Sequence, residues 1–258
     1  MARLFYPVAG DSAESLWLDG APFHYLVHVL RLRSGQSFEI FDGRGRAFPA
    51  RVSSIARDGA QIQLGSPRLS EGGRPVMLIQ SLPKADKMEW IIQKGTELGA
   101  SSFAPVESAR SVVRLRGERH EQRLRRWRTI AQEAARQCGR SDVPEVLPAE
   151  PILERVQALC GAVRCLLLDE DEREMSLSRA FSAGRSDPSP LALLIGPEGG
   201  FDRAEVEALR WLGAAPVSLG RAKLRTETAA IAALTLVLHL DGRLGEEHCS
   251  TYGRRLRV

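Results

Sequence analysis

The first 70 residues alternate between apolar and polar positions in short runs, which is typical of strands with one buried face. Three such runs are Ser37–Phe41, Ala47–Val52 and Ala60–Leu64. Between the first two, Asp42–Gly45 is typical of a hairpin turn, and one helical pattern, Pro22–Leu30, interrupts the series. The pattern predicts a small β-barrel over 1–72, ending in a Gly- and Pro-rich linker at 70–75.

Beyond this linker, continuous apolar runs alternate with helical periods. The apolar runs predict strands at Val76–Gln80, Phe103–Val106, Val163–Leu168, Leu191–Ile195 and Pro216–Leu219. The helical periods predict helices at Ala85–Leu98, Glu118–Cys138, Arg203–Leu212 and Thr228–Leu240. This alternation predicts an α/β domain with a mainly parallel sheet over 73–243, followed by a loose tail at 244–258.

Composition excludes several classes of protein. Of 258 residues, 43% are hydrophobic and 26% charged, which supports a buried core and argues against global disorder. No apolar run approaches the roughly 20 residues of a membrane span, and the N-terminus lacks a secretory apolar stretch, so we expect a cytoplasmic protein. The four cysteines form no CxxC pair, and we predict no metal site.

Positive charge is concentrated in one stretch of the chain. The formal net charge is only +4, but ten arginines lie between residues 110 and 140, against three glutamates. Such a cluster favours a surface that contacts phosphates. A solvated helix face is the alternative that the pattern leaves open.

Two glycine-containing turns follow predicted strands. In the first, Leu193–Asp202, a buried strand runs into a Gly-rich loop, and Asp202 with Glu205 predicts a capping box for the next helix. In the second, Val217–Ala229, a basic loop leads to threonines at the start of an apolar helix, a favourable position for an anionic group. Because ligands bind at the carboxyl ends of parallel strands, the two loops predict one shared pocket. A plain strand-to-helix turn remains the alternative for the first loop, and motifs for dinucleotides or a P-loop are absent.

Together these loops resemble the ribosomal RNA small subunit methyltransferase E family. The resemblance rests on Ile195–Phe201 (IGPEGGF) and Leu219–Ala229 (LGRAKLRTETA). Further matches are Met88–Gly99, Arg110–Val112, Glu133–Arg140 and His28–Arg31, and the likeness spans about residues 1 to 243. One departure is Gly95, where the family pattern has alanine; glycine loosens a helix by up to about 1 kcal/mol.

This resemblance implies a PUA-like β-barrel followed by a SPOUT-type domain with a C-terminal trefoil knot, and a homodimer joined through the knotted domain. It also implies S-adenosylmethionine as the cofactor, bound in a cleft lined by three loops. The residues expected to contact it are Leu168, Ile195, Gly196, Gly199, Leu219, Gly220, Leu224, Thr226 and Thr228.

The implied reaction is methyl transfer to N3 of a uridine in small-subunit ribosomal RNA. Uridine N3 carries a proton, so the enzyme must supply a base or stabilise the anion that forms on the ring. Arg225 is the candidate anion stabiliser, because a guanidinium suits planar recognition. Glu198 and Glu227 are candidates either for the base or for holding neighbouring groups in place.

The expected RNA surface combines the N-terminal domain with the arginine cluster, since structured RNA is recognised through shape and phosphates. Candidate contacts are Arg3, His24, His28, Arg31, Arg33, Arg110 and Arg114. His24 and His28 share a helical face, but no third ligand is visible, which favours packing or RNA contact over a metal.

Three other functions remain open at this stage. A SPOUT enzyme acting on a different RNA nucleotide would carry the same loops. A non-catalytic RNA-binding or ribosome-assembly protein would bind RNA without the cofactor. A metabolic nucleotide enzyme is weakened by the absent phosphate-loop motifs.

Overall fold

The computed structural model describes residues 1–8, 14–70 and 72–245. These residues form two β-sheets, each with its own buried core. Of the predicted loose tail at 244–258, the segment 246–258 lies outside the described residues. Leu244 is not loose, because its backbone N–H donates to the carbonyl of Leu238 at 3.3 Å and its side chain packs on the core.

The N-terminal sheet has six strands. They are β1 (Arg3–Phe5), β2 (Ser15–Asp19), β3 (Ser37–Phe41), β4 (Arg46–Ile55), β5 (Gly59–Leu64) and β6 (Arg68–Leu69). The order is β1-β3-β4-β5-β2, with β6 paired to β4, and only the β1–β3 pair is parallel. Because alternate side chains face the same side, Phe38, Ile40, Phe48 and Ile62 share one core. The predicted hairpin turn between β3 and β4 is confirmed.

The segment predicted as a helix at Pro22–Leu30 consists of an α-helical part and a π-helical part. It begins earlier, as α1 (Gly20–His24), and continues as a π-helical turn over Tyr25–Val29. The wider turn leaves Leu26 fully buried, whereas His24 and His28 are exposed.

The second sheet has seven strands, and every recorded strand pair in it is parallel. They are β7 (Val76–Ser81), β8 (Ser102–Glu107), β9 (Glu145–Val146), β10 (Glu150–Pro151), β11 (Arg164–Leu168), β12 (Leu191–Ile195) and β13 (Ala215–Val217). The order is β10-β8-β7-β12-β11-β13, with β9 on β8. This confirms the predicted α/β class with a mainly parallel sheet.

Helices cover both faces of the parallel sheet. They are α2 (Lys87–Leu98), α3 (Gly117–Cys138), α4 (Ile152–Leu159), α5 (Leu177–Ala183), α6 (Arg203–Trp211) and α7 (Thr226–Leu240). Buried residues of α2, α3, α5 and α7 form one core with the sheet, and those of α4 and α6 form the other. The sequence patterns did not predict α4, α5 or the shortest strands, because these elements are too short to show a period.

The two sheets meet where the β3–β4 hairpin touches the chain after α3. The N–H of Val143 donates to the carbonyl of Gly43 at 3.0 Å, and the N–H of Gly45 donates to Ser141 at 3.1 Å. Beside them, the Arg140 guanidinium donates to the carbonyl of Thr96 at 2.8 Å. The two backbone hydrogen bonds fix the orientation of the N-terminal sheet, while the exact domain boundary at 72/73 stays a prediction.

Packing explains why position 95 is glycine, which the sequence did not reveal. A Cβ placed at Gly95 would lie 2.7 Å from the ring of Phe103 and 3.4 Å from the Leu78 side chain. Both of those side chains are fully buried. Glycine therefore allows α2 to lie close against β7 and β8, at the cost of a weaker helix.

We predict that Gly95→Ala destabilises the protein, although alanine is the better helix former. Overpacking against Phe103 should lower the free energy of unfolding by about 1–3 kcal/mol in urea denaturation. Adding Phe103→Leu should recover part of the loss, and Gln93→Ala, exposed on the same helix, should change little. A Gly95→Ala protein as stable as the wild type would contradict the packing argument.

Candidate active site

A cleft lies at the carboxyl ends of β11, β12 and β13, which are adjacent in the sheet. The loops after these strands supply its walls, as expected for a site on parallel strands. The structure brings together seven of the nine predicted cofactor-binding residues, namely Leu168, Ile195, Gly196, Leu219, Gly220, Leu224 and Thr226.

Gly199 and Thr228 lie outside the lining of the cleft. Two residues of helix correspond to a rotation of about 200°, so Thr226 and Thr228 face opposite sides of α7. Thr226 is buried, whereas Thr228 is exposed. Gly199 instead faces Arg110, whose guanidinium donates to the Gly199 carbonyl at 3.0 Å.

Thr226 connects three elements around the cleft. Its hydroxyl donates to the carbonyl of Gly196 at 2.6 Å and accepts from the Gln80 amide at 2.9 Å. Gln80 is fully buried near the end of β7. Buried polar groups are costly unless paired, so these bonds hold the Gly-rich loop, β7 and α7 together.

The Gly-rich loop is shaped by its glycines and by the start of α6. Gly200 has φ of +67°, a left-handed conformation that favours glycine. Phe201 is buried and packs under Gly196. Asp202 caps α6 by accepting from the N–H of Ala204 at 3.0 Å, which confirms the predicted helix start.

Glu205, the second residue of the predicted capping box, also reaches outside its own helix. Its carboxylate accepts from the N–H of Ala109 at 2.8 Å and so attaches the loop after β8 to α6. Burial raises the pKa of this carboxyl. The attached loop carries Arg110, which lines the cleft and pairs with Asp202 at 3.3 Å.

The loop after β11 contributes charged residues that the sequence reasoning missed. Asp169 accepts from the Arg203 guanidinium at 2.7 and 2.8 Å, and Glu170 pairs with Lys223 at 3.2 Å. The signal available in the sequence was an acidic run, Asp169–Glu172, directly after a buried strand.

Both candidate carboxylates contact one lysine. The Lys87 ammonium, in the first turn of α2, lies 2.9 Å from Glu198 and 3.1 Å from Glu227. Although burial opposes ionisation of Glu198, hydrogen bonds from Lys87 and from backbone N–H groups lower its pKa. The same contact with Glu198 raises the pKa of Lys87. Glu198 is therefore ionised at neutral pH and is a weak base.

Arg225 is exposed and forms the N-cap of α7, between the cleft-lining residues Leu224 and Thr226. Within the described ranges, its guanidinium has no hydrogen-bond or ion-pair partner. An unpaired cation at the rim is available to an incoming anionic group.

Arg114 and the neighbouring Arg116 are exposed beyond the cleft but share a buried partner. Glu107 accepts from Arg116 at 2.5 Å and from Arg114 at 3.2 Å. The hydrogen bond from Arg116 lowers the pKa of Glu107, so the carboxylate keeps its charge and orders the loop after β8.

Arg3 contradicts the expectation that it contacts RNA. Its side chain is only 13% exposed and pairs with Glu39 at 2.6 Å. The guanidinium also donates to the carbonyl of Arg140 at 3.0 Å, just beyond the end of α3. Because its guanidinium N–H groups donate to groups within the protein, Arg3 connects the N-terminal sheet to the end of α3 and does not face solvent.

The other N-terminal candidates are exposed. Arg31, Arg33, His24 and His28 all lie on the surface around the π-helical turn, and the two histidine rings are 4.4 Å apart. Among the described residues, no group of three potential ligands is placed to hold a metal ion.

Two family models match the chain. The model of the RNA methyltransferase domain matches residues 70–238, and that of the RNA methyltransferase PUA domain matches residues 18–65. Curated relatives named ribosomal RNA small subunit methyltransferase E include one from Bacillus subtilis, 34% identical over 88% of this chain and 91% of the relative. The chain belongs to this family. A relative of the same name from Mycobacterium bovis is 33% identical over 94% of both chains.

Solved structures of methyltransferases share the whole fold of this family member. The ribosomal RNA small subunit methyltransferase E of Neisseria gonorrhoeae, bound to S-adenosyl methionine, is 29% identical with a TM-score of 0.82, covering 93% of this chain and 98% of that one. A Legionella pneumophila methyltransferase in complex with the same cofactor is 28% identical with a TM-score of 0.78, covering 92% and 96%. The expected order of a PUA domain followed by an α/β methyltransferase domain with a parallel sheet is confirmed.

In the described part of this family member, no helix is long and apolar enough to cross a membrane.

We predict that Thr226→Val weakens the structure around the cleft. The isosteric change removes two hydrogen bonds and leaves the Gln80 amide and the Gly196 carbonyl without this partner. The free energy of unfolding should fall by about 1–3 kcal/mol. Thr228→Val is the matched control, since an exposed site should change stability by less than about 0.5 kcal/mol. Equal effects of the two variants in urea denaturation would contradict the role given to Thr226.

Proposed function

We propose that this protein transfers the methyl group of S-adenosylmethionine to N3 of a uridine in small-subunit ribosomal RNA. The observation that carries the proposal is the cleft formed by three loops at the ends of β11, β12 and β13, in a family whose members bind this cofactor with the same fold. Family membership supports ribosomal RNA as the substrate.

The residues of the cleft fit S-adenosylmethionine. Its apolar surface includes Leu168, Ile195 and Leu219, which suit an adenosine group, and the left-handed Gly220 leaves backbone groups accessible. The cofactor carries a sulfonium, an ammonium and a carboxylate, and the cleft is lined both by the acidic loop at Asp169–Asp171 and by the cations paired with it, Arg203 and Lys223. When bound, the cofactor supplies an electrophilic methyl group.

Arg225 is the residue that we propose stabilises the reacting uridine. Removal of the N3 proton places negative charge on the uracil ring, and a guanidinium at the rim of the cleft would stabilise that charge. For Glu198 and Glu227 we propose a positioning role rather than proton transfer. The low pKa of Glu198 makes it a poor acceptor for a proton, and both carboxylates are engaged by Lys87.

The proposed RNA surface consists of exposed cations on both sheets. His24, His28, Arg31 and Arg33 would contact phosphates from the N-terminal sheet, and Arg110 and Arg114 from beside the cleft. The trefoil knot and the homodimer stay predictions that follow from the family resemblance.

Methyl transfer to isolated small ribosomal subunits tests the proposal. The subunits come from a strain that lacks this protein, the cofactor carries a labelled methyl group, and the RNA is digested to identify the labelled nucleoside. We expect the label in 3-methyluridine. Label in another nucleoside would contradict the N3 assignment. No label, together with no calorimetric binding of the cofactor, would favour a non-catalytic RNA-binding protein.

We predict that Arg225→Gln slows methyl transfer without weakening cofactor binding. Loss of a group that stabilises developing charge typically lowers kcat by about 10²–10³. Single-turnover rates on small subunits would measure the effect, and calorimetry with S-adenosylmethionine would give the Kd. Arg210→Gln, on the exposed end of α6, is the control. An unchanged single-turnover rate for Arg225→Gln would remove Arg225 from the mechanism.

A further inference from the structure

Lys87 is placed where a helix does not favour a cation. It is the first residue of α2, so its ammonium lies at the positive end of the helix dipole. Helix stability alone would favour an acidic or neutral residue there. The placement therefore needs another source of stabilisation, and that source lies outside the helix.

The stabilisation comes from two carboxylates on different elements, a loop and a helix. Glu198 belongs to the Gly-rich loop after β12, and Glu227 lies in the first turn of α7, which follows the loop after β13. Each carboxylate oxygen lies about 3 Å from the Lys87 nitrogen, so the two oxygens are within about 6 Å of each other. The side chains of Lys87 and Glu198 are 29% exposed and that of Glu227 is 18% exposed, so all three are only partly shielded from water.

Two like charges at this separation repel each other strongly when they are partly shielded from water. Without Lys87, the repulsion would push the Gly-rich loop away from the start of α7. The bond from Thr226 to Gly196 spans the same two segments. The Gly-rich loop and the start of α7 both line the cleft. Glu198 is part of that lining, whereas Lys87 is not.

We propose that Lys87 is a positioning residue, which maintains the shape of the cofactor cleft by neutralising Glu198 and Glu227 and holding the Gly-rich loop against the start of α7. This inference rests on the proposed function, because it gives Lys87 a role in binding S-adenosylmethionine. Lys87 acts through the carboxylates and makes no contact with the reacting atoms.

A second lysine on the same helix provides a matched control. Lys94 lies 2.9 Å from Glu97, with 37% exposure, so its ion pair resembles that of Lys87 in distance and burial. Its partner is three residues away on α2 itself, and neither residue lines the cleft. A general effect of losing a lysine from α2 would appear equally when Lys87 or Lys94 is replaced.

The test is calorimetric binding of S-adenosylmethionine to full-length Lys87→Met, Lys87→Arg, Lys94→Met and the double variant Lys87→Met/Glu198→Gln, with thermal unfolding recorded for each. We expect Lys87→Met to raise the Kd by about tenfold or more, as coupled charges do. Lys87→Arg and Lys94→Met should bind within about threefold of the wild type. The double variant should recover most of the affinity, because it removes one of the two repelling charges.

Wild-type affinity in Lys87→Met would overturn the inference. So would a loss that neither Lys87→Arg nor the added Glu198→Gln repairs, because Lys87 would then contribute only to general packing. A wild-type protein that binds no S-adenosylmethionine would contradict the proposed function itself, and the inference would fall with it.

Discussion

The four long parallel strands β7, β8, β11 and β12 are buried on both faces, and this constraint decides where the polar groups of the domain lie. Strands such as Leu191–Ile195 have every residue buried, so they offer apolar side chains to both cores. Charged and hydrogen-bonding groups then collect in the loops at the strand ends. Because β12, β11 and β13 are neighbours in the sheet, their three loops meet at one place.

Polar contacts hold these loops in place where they meet. The Thr226 hydroxyl joins the Gly-rich loop to the end of β7, and Asp169 holds Arg203 at the start of α6. Lys87 connects the Gly-rich loop to the first turn of α7 through two carboxylates. Each contact is formed between elements that are far apart in sequence. The cleft therefore depends on correct packing of the whole sheet, and a rigid site of this kind suits a reaction that relies on placement of the reacting groups.

Much of the fold was predictable, because long buried strands and amphipathic helices leave clear periods in the sequence. The strand Leu191–Ile195 and the helix α6 appear close to their predicted bounds. Short elements such as α5 escaped prediction, since seven residues give too few repeats of the pattern. The start of α7 at Thr226, two residues earlier than predicted, depends on a tertiary hydrogen bond that the sequence does not display.

The candidate site was predictable where backbone conformation favours glycine, as at Gly220, which has φ of +120°. Side-chain partners were not predictable. From the sequence alone, Arg3 and Arg31 are equally good candidates for RNA contact. The fold distinguishes them, because Arg3 donates to the carbonyl of Arg140 beyond the end of α3, whereas Arg31 is exposed. Lys87 was missed for the same reason, since its partners lie more than a hundred residues away in sequence.

Hydrogen exchange measured by mass spectrometry with and without S-adenosylmethionine tests the central claim most directly, namely that three loops at the ends of β11, β12 and β13 form one cofactor site. The cofactor should slow exchange in 168–173, 195–201 and 217–226 together, and leave 37–64 in the N-terminal sheet unchanged. Slower exchange confined to other segments, or no change in any of the three loops, would contradict the account.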